Sequence, residues 1–195
     1  MAIKALCVFC GSSPGRDPVY AAAAAEFGIK MVEAGYHLVY GGGRVGLMGV
    51  VADSVMRAGG EVVGVIPHFL NSKEIGHDGV TRLEAVDTMH ERKARMEKLS
   101  DAFVALPGGF GTYEEILEII TWGQLGLHRK PIGLLNLKGY YQPLLAQVDR
   151  GVEEGFIKPS YRQLLVSADN PTALLEALAS YEPPEVEQWL AAGET

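Results

Sequence analysis

Cysteine, long apolar segments and positive charge are all scarce in this sequence of 195 residues. The apolar runs are far shorter than the ~20 residues that a membrane-spanning helix requires, and no secretory signal peptide is recognisable. The 17 basic residues are outnumbered by 24 acidic ones, and the net charge of −7 argues against the general phosphate attraction used in nucleic-acid binding. We therefore expect a soluble cytoplasmic protein that binds neither membranes nor nucleic acids.

The two cysteines, Cys7 and Cys10, have the CxxC spacing of redox and zinc sites. Both lie in an apolar run that indicates a β-strand, in which residues three apart point to opposite faces. No second pair of cysteine or histidine residues stands at zinc-binding spacing. We therefore predict buried structural thiols and no metal site, and two unpaired thiols fit a reducing compartment.

The rest of the chain alternates short apolar runs with longer helical patterns, without internal repeats. Strands are predicted at residues 3–10, 37–40, 61–66, 81–86, 102–106, 132–136 and 164–166. Helices are predicted at residues 20–34, 47–58, 89–99, 113–127, 140–154 and 171–180, and a loop at 69–79. Strands that are apolar throughout, with helices between them, indicate an α/β fold: a Rossmann-like, doubly wound parallel sheet with helices on both faces. We expect one domain over residues 1–182 and a short C-terminal tail over 183–195.

Three glycine-rich segments follow predicted strands, at the sheet edge where doubly wound folds bind ligands. The first begins Gly11-Ser12 and suits either ligand contact or an ordinary turn. The second, residues 41–46, formally matches the GxGxxG pattern of dinucleotide sites. That match is weak, because the segment follows the second strand and no carboxylate stands at the end of the third. Backbone amides that face a mononucleotide are the favoured interpretation, with Arg44 either adding charge or lying in solvent.

The third segment, residues 107–115 with the sequence PGGFGTYEE, joins a buried strand to a helix that is predicted to begin near Thr112. The N–H groups at the start of that helix would form a phosphate site. Glu115 has two interpretations. Either it completes a capping box with Thr112, or its carboxylate lies at the helix mouth and takes part in chemistry.

Basic residues cluster just upstream, in the predicted helix that begins with Met89. Arg92 and Arg95 would share a helix face, and Glu91 could pair with Arg95 across one turn. The cluster is either a solvated helix face, or Arg92 and Lys93 point to the strand ends and bind a phosphate or a leaving base.

The PGGxGTxxE motif together with Met89-His90-x-Arg92-Lys93 resembles the LONELY GUY family, the cytokinin riboside 5′-monophosphate phosphoribohydrolases. The likeness also covers residues 8–13, 40–49 and 120–136, so that it spans nearly the whole chain. It implies a homodimer that hydrolyses AMP and N6-modified AMP to the free base and ribose 5-phosphate without a cofactor, with Arg92 and Glu115 as the catalytic pair. The residues assigned to the substrate site are Gly11, Ser12, Gly42, Gly43, Glu74, Met89, Lys93, Gly108, Gly109, Phe110, Gly111, Thr112, Tyr113, Glu114 and Thr121.

The chemistry expected of such a site follows from the charge that develops in N-glycosidic cleavage. A carboxylate such as Glu115 would stabilise the cationic anomeric carbon and orient water. Arg92 would stabilise the leaving base or hold the phosphate, but its pKa above ~12 makes it a poor proton donor. The alternatives are a carrier of a nucleotide or cofactor with the same fold and no turnover, and a dinucleotide-dependent enzyme. The label "lysine decarboxylase", often attached to this signature, lacks support because decarboxylation needs an electron sink such as pyridoxal phosphate.

Overall fold

The structure, a computed structural model, describes residues 3–71 and 76–186. Its strands are β1 (Ala5–Phe9), β2 (His37–Tyr40), β3 (Val62–Pro67), β4 (Arg82–Val86), β5 (Ala102–Ala105), β6 (Ile132–Leu135) and β7 (Leu165–Ala168). Its α-helices are α1 (Pro18–Glu33), α2 (Gly46–Arg57), α3 (His68–Asn71), α4 (Met89–Leu99), α5 (Phe110–Gln124), α6 (Gln142–Glu153), α7 (Pro159–Arg162) and α8 (Pro171–Ala179), with a 3-10 helix at Leu137–Gly139.

All seven strands form one parallel sheet in the order β4-β3-β2-β1-β5-β6-β7. The chain builds the sheet outward from β1 to β4, and then returns to place β5 on the other side of β1. The order of the strands therefore reverses between β1 and β5, and it is outside the carboxyl ends of strands at such a switch point that doubly wound sheets bind ligands. The predicted fold class is confirmed.

Two apolar layers cover the sheet, one on each face. Along β1, Leu6 and Val8 pack into the layer formed with α1, α2 and α8, whereas Cys7 and Phe9 pack into the layer that includes residues of α4, α5 and α6. Because both faces are buried, the strands are apolar throughout. Each large side chain buried in this way stabilises the fold by roughly 1.5–3 kcal/mol. Cys10 lies in the layer opposite Cys7, so both thiols are buried and point to opposite faces, as predicted.

Most element boundaries lie within three residues of the predicted ones, and α4 has the predicted bounds. Helix α1 ends at Glu33, and Gly35 takes the positive φ expected just beyond a helix end. Most of α3 lies in the segment predicted as a loop at 69–79, and α7 and the 3-10 helix were not predicted either. Each of these three helices is a single turn, too short to show helical periodicity. None of the helices in the described part of the chain has the length and apolar character needed to cross a bilayer. The division at residue 182 stays a prediction.

Candidate active site

The three glycine-rich segments meet at the switch point and are joined there by backbone hydrogen bonds. The Gly11 N–H donates to the Pro107 carbonyl over 3.1 Å, and the Leu47 N–H donates to the Gly11 carbonyl over 2.9 Å. Gly46 has a φ of +61°, and a Cβ at this position would lie 2.2 Å from the carbonyl carbon of Ser12. Only glycine permits so close an approach of two backbones. The loops that follow β1, β2 and β5 therefore form one packed unit.

A cavity of ≈ 270 Å³ opens among these loops. This volume is close to the lower end of the range for small-molecule sites, which begins at about 300 Å³. Nine of the predicted site residues line it: Gly11, Ser12, Gly43, Arg92, Gly109, Phe110, Gly111, Thr112 and Glu115. The remaining wall is mostly apolar and consists of Val8, Phe9, Cys10, Gly41, Met48, Ile66 and Leu70. The cavity therefore combines one charged pair, a glycine-rich helix start and an apolar wall.

Arg92 projects from α4 to the cavity and is only 8% exposed. Its Nε donates to the Val65 carbonyl over 3.1 Å, and its Nη1 lies 3.1 Å from Oε1 of Glu115. A Cβ on Gly41 would lie 1.9 Å from Nη2, so the guanidinium packs directly against the backbone that follows β2. The side chain is thus fixed by contacts with the ends of β2 and β3 and with α5.

Helix α4 begins with a capping box. The Thr88 hydroxyl accepts from the Glu91 N–H over 3.1 Å, and the Glu91 carboxylate accepts from the Thr88 N–H over 3.3 Å. The predicted pairing of Glu91 with Arg95 is wrong, because the Glu91 carboxylate caps the helix and Arg95 binds Glu84 instead, with Nε 2.7 Å from Oε2. The interpretation of this helix as a solvated charged face is also wrong for Arg92, which is buried.

Helix α5 begins at Phe110, earlier than predicted, with Gly109 at the N-cap and no side chain capping the helix. Thr112 is therefore the third helical residue, and the predicted capping box between Thr112 and Glu115 does not form. Glu115 instead lies 8% exposed on the second turn and faces Arg92. Burial raises the pKa of its carboxyl above the ordinary value; the Arg92 charge opposes this shift.

Lys93 is also buried, but its side chain does not line the cavity and pairs with acidic residues of α5. Its Nζ pairs with Glu114 and lies 2.9 Å from Oε1 of Glu118. Burial by itself lowers the pKa of Lys93, but hydrogen bonds to the two carboxylates outweigh it, and the pKa is raised. Lys93 therefore stays charged and links α4 to α5.

Two tyrosines hold the loop between β5 and α5. The Tyr140 hydroxyl donates to the Gly108 carbonyl and lies 2.8 Å from the Tyr113 hydroxyl. Burial raises the pKa of Tyr140 to about 12. The Tyr140 hydroxyl therefore stays protonated, and its hydrogen bonds to Gly108 and Tyr113 fix the loop.

Seven further residues predicted for the substrate site do not line the cavity: Gly42, Met89, Lys93, Gly108, Tyr113, Glu114 and Thr121. Some of them support the loops of the site without lining it, as Tyr113 does through its contact with Tyr140. Others have separate contacts, such as Thr121, whose hydroxyl donates to the Leu117 carbonyl over 2.8 Å. Glu74 lies outside the described residues. Their contact with the substrate stays a prediction.

Sequence reasoning missed the apolar part of the cavity wall. Ile66 could have been found, because it lies near the carboxyl end of β3, where ligands approach a parallel sheet. Leu70 belongs to the single turn α3, within the segment predicted as a loop, and gave no periodic signal. Met48 lies in the first turn of α2, beside the second glycine loop.

Comparison with known proteins places the chain in a family. A family described as "Possible lysine decarboxylase" matches residues 48–178. Two proteins of Arabidopsis thaliana, each named cytokinin riboside 5′-monophosphate phosphoribohydrolase, are 53% and 52% identical over 180 residues, which is 92% of this chain and 83% and 84% of theirs. A molybdenum cofactor binding protein from Rippkaea orientalis shares the fold, with a TM-score of 0.69 at 21% identity over 92% of this chain and 98% of its own. The high identity over most of both chains confirms the resemblance found in the sequence, and this chain belongs to the family of the cytokinin riboside 5′-monophosphate phosphoribohydrolases.

Proposed function

We propose that this protein hydrolyses the N-glycosidic bond of adenosine 5′-monophosphate and its N6-modified forms, releasing the free base and ribose 5-phosphate. The observation that supports this most directly is the buried pair of Arg92 and Glu115 at the switch point of the sheet, next to an uncapped helix start. Relatives of which more than half the aligned residues are identical have names that state this reaction.

Glu115 acts on the sugar. Cleavage of the bond to the base builds positive charge on the anomeric carbon, and a carboxylate close to that carbon stabilises it. The same carboxylate orients a water molecule and accepts its proton as the C–O bond forms. The raised pKa of Glu115 makes it a better proton acceptor than an exposed glutamate, while the Arg92 charge favours the ionised form.

Arg92 orients Glu115 and supplies a fixed positive charge. Since its Nε is bound to the Val65 carbonyl, the guanidinium has a single orientation in the cavity. That charge stabilises electron density on the departing base or a phosphate oxygen of the substrate. A guanidinium does not give up its proton at neutral pH, so the proton for the base comes from water or from another acid.

The 5′-phosphate binds at the start of α5. The first intrahelical hydrogen bond runs from the Tyr113 N–H to the Gly109 carbonyl, so that the amides of Phe110, Gly111 and Thr112 are free of intrahelical partners. These donors and the helix dipole attract an anion. An anchored phosphate explains a preference for nucleotides over nucleosides, and the apolar wall opposite suits a purine.

Decarboxylation of lysine is a poorer fit to the same residues. Such enzymes use a lysine whose amine is held neutral for a Schiff base. Lys93 is the buried lysine of the described residues, and its ammonium is paired with Glu114 and Glu118, which raises its pKa. This pairing favours the charged form, which cannot act as a nucleophile.

The test is chromatographic detection of base and ribose 5-phosphate after incubation with AMP and, separately, with N6-isopentenyl-AMP. We expect release by the wild-type protein and a loss of at least ~10²-fold in Glu115→Gln, which removes the charge but keeps the shape. Circular dichroism checks that the variant is folded. If the wild-type protein releases base from neither substrate, the proposal is wrong, and a carrier of a nucleotide or cofactor becomes the better interpretation.

We also propose that the protein is a cytoplasmic homodimer. The two buried, unpaired thiols fit a reducing compartment. Phe110 and Leu117, which are 90% and 43% exposed, lie two turns apart on one side of α5 and form an apolar strip that suits a partner helix. Light scattering should give twice the chain mass of 21.0 kDa for the wild-type protein and a lower mass for Leu117→Asp. A wild-type mass of one chain would contradict the dimer.

A further inference from the structure

Two adjacent residues of α4 bind three acidic residues of α5. Arg92 pairs with Glu115, and Lys93 pairs with Glu114 and Glu118. The cluster thus has three carboxylates and two cations. Lys93 and Glu115 are each less than a tenth exposed, and water screens their charges poorly.

Lys93 is the cation on which the balance of this cluster depends. Its Nζ is shared by two carboxylates, and the second oxygen of Glu118, Oε2, is buried without a hydrogen-bond partner among the described residues. Loss of the ammonium would leave the Glu118 carboxylate without this cation, and would leave Glu114 beside Glu115 without its own ion pair. Both changes add negative potential next to Glu115.

We infer that Lys93 is a positioning residue of the active site, which holds Glu114 and Glu118 against α4 and thereby sets the charge environment in which Glu115 works. This role rests on the ion pairs between the two helices and needs no contact with the substrate; the Lys93 side chain does not line the cavity. The inference rests on the proposed function only in giving Glu115 a catalytic task; the arrangement of charges is independent of it.

The charged groups around Glu115 act on its pKa with the signs that this role requires. From α4, the Arg92 and Lys93 charges lower the pKa of Glu115, whereas the neighbouring Glu114 charge raises it. Cys7 and Cys10, in and just after β1, lie near enough to feel the Glu115 charge, but burial raises the pKa of both thiols well above the usual range, so they stay neutral. The net charge that Glu115 experiences is therefore set by α4 and α5.

The experiment measures the titration of Glu115 directly, without substrate. Glutamate side-chain carboxyls are labelled with ¹³C, and the Glu115 signal is assigned by its absence in Glu115→Gln. We expect Lys93→Met to move the midpoint up by about 0.5–1 pH unit and Glu114→Gln to move it down, since the two variants remove charges of opposite sign. Lys93→Arg, which keeps the positive charge, should titrate with the same midpoint as the wild-type protein.

A matched control is Lys130→Met. Lys130 is partly buried and pairs with Glu97 of α4, but it lies at the opposite end of that helix and is not among the charges that act on Glu115. This variant tests whether the loss of any lysine that is paired with α4 or α5 shifts the titration. We expect its midpoint to equal that of the wild-type protein.

Several results would overturn the inference. If the midpoint stays within 0.2 unit of wild type in Lys93→Met and Glu114→Gln, Lys93 has no electrostatic role at Glu115. If Lys93→Met raises KM for AMP with an unchanged midpoint, it binds the substrate instead. Should Lys93→Met fail to fold, Glu114→Gln decides, because Glu114 is half-exposed and its loss should lower the midpoint. A wild-type protein that releases no base would refute the proposed function, but the titration would still decide the role of Lys93.

Discussion

Nη1 of Arg92 lies 3.1 Å from Oε1 of Glu115, and about nine-tenths of each side chain is buried. Buried charges are stable only when paired, and removal of one partner typically costs 3–5 kcal/mol because the other is left uncompensated. The pair therefore fixes the relative position of α4 and α5 at the cavity. It also holds a carboxylate and a guanidinium ready for a substrate.

Arg92→Lys should reduce turnover by about 10²-fold, as expected when a preorganised charged donor is displaced. A guanidinium donates to the Val65 carbonyl and to Glu115 at the same time, whereas one ammonium on a flexible chain does not reproduce this fork. The measurement is the rate of base release from AMP at saturation. Arg95→Lys, one turn further along α4 and paired with Glu84 near the surface, serves as the control and should keep wild-type rates. A rate above a third of wild type in Arg92→Lys would contradict the requirement for a fork.

Gly41→Ala tests the position of the Arg92 side chain without changing Arg92 itself. The added methyl would lie 1.9 Å from Nη2 of Arg92, so the guanidinium must leave the position in which it pairs with Glu115. We expect turnover to fall at least tenfold and the free energy of unfolding to fall by about 1–3 kcal/mol. Gly123→Ala is the matched control, since its methyl would meet the nearest side-chain atom at an ordinary 3.4 Å and should not destabilise α5. Equal turnover in the two variants would show that the position of Arg92 has no effect on catalysis.

The sequence predicted the sheet and its ligand-binding edge because both depend on local patterns. Fully apolar runs such as residues 102–106 are typical of strands covered on two faces, and glycine segments after such strands mark the loops that can approach a ligand. The resemblance to a family then picked out Arg92 and Glu115, and the structure places the two side chains in contact. Their catalytic role stays a prediction.

The contacts between helices could not be predicted in this way. The pattern Thr-x-x-Glu occurs at both Thr88–Glu91 and Thr112–Glu115, but only the first forms a capping box. At the second, Gly109 is the N-cap and the helix begins two residues before Thr112, and this depends on how the loop packs against Gly11. The sequence left open whether the charged α4 side chains are solvated or point to the strand ends, because the burial of Arg92 and Lys93 results from their pairing with α5 and not from the α4 sequence.

Thr112→Val should separate nucleotides from nucleosides as substrates. Thr112 is 3% exposed and lines the cavity at the start of α5, where we propose that the phosphate binds. Loss of one hydrogen bond to a charged group costs about 1.5–3 kcal/mol, so kcat/KM for AMP should fall about tenfold or more, whereas that for adenosine should change less than twofold. Thr172→Val, in the first turn of α8, should change neither value. An equal loss for AMP and adenosine would place the phosphate elsewhere.

His128 is expected to make stability depend on pH. The ring is buried with Nε2 2.9 Å from the Ile119 carbonyl, and Nδ1 accepts from the Lys130 N–H over 3.2 Å. Only the neutral ring satisfies both bonds, because a proton on Nδ1 would point at another donor. Burial lowers the pKa of His128 below its ordinary value of 6.5, so below that pH the unfolded chain binds a proton that the folded chain does not. The stability from the neutral ring is thus present above pH 6.5 and is lost as the pH falls toward the lowered pKa.

Denaturant unfolding at a series of pH values from 7.5 downward measures this effect. The free energy of unfolding of the wild-type protein should contain a component that falls by up to about 1.4 kcal/mol per pH unit below pH 6.5. His128→Gln can still donate to the Ile119 carbonyl and accept from the Lys130 N–H, but it has no proton to gain. As the pH falls, the free energy of unfolding of the wild-type protein should therefore decrease more than that of this variant. If the curves of His128→Gln and wild type stay parallel, the ring does not remain neutral in the folded protein, and the hydrogen bonds around it must be assigned differently.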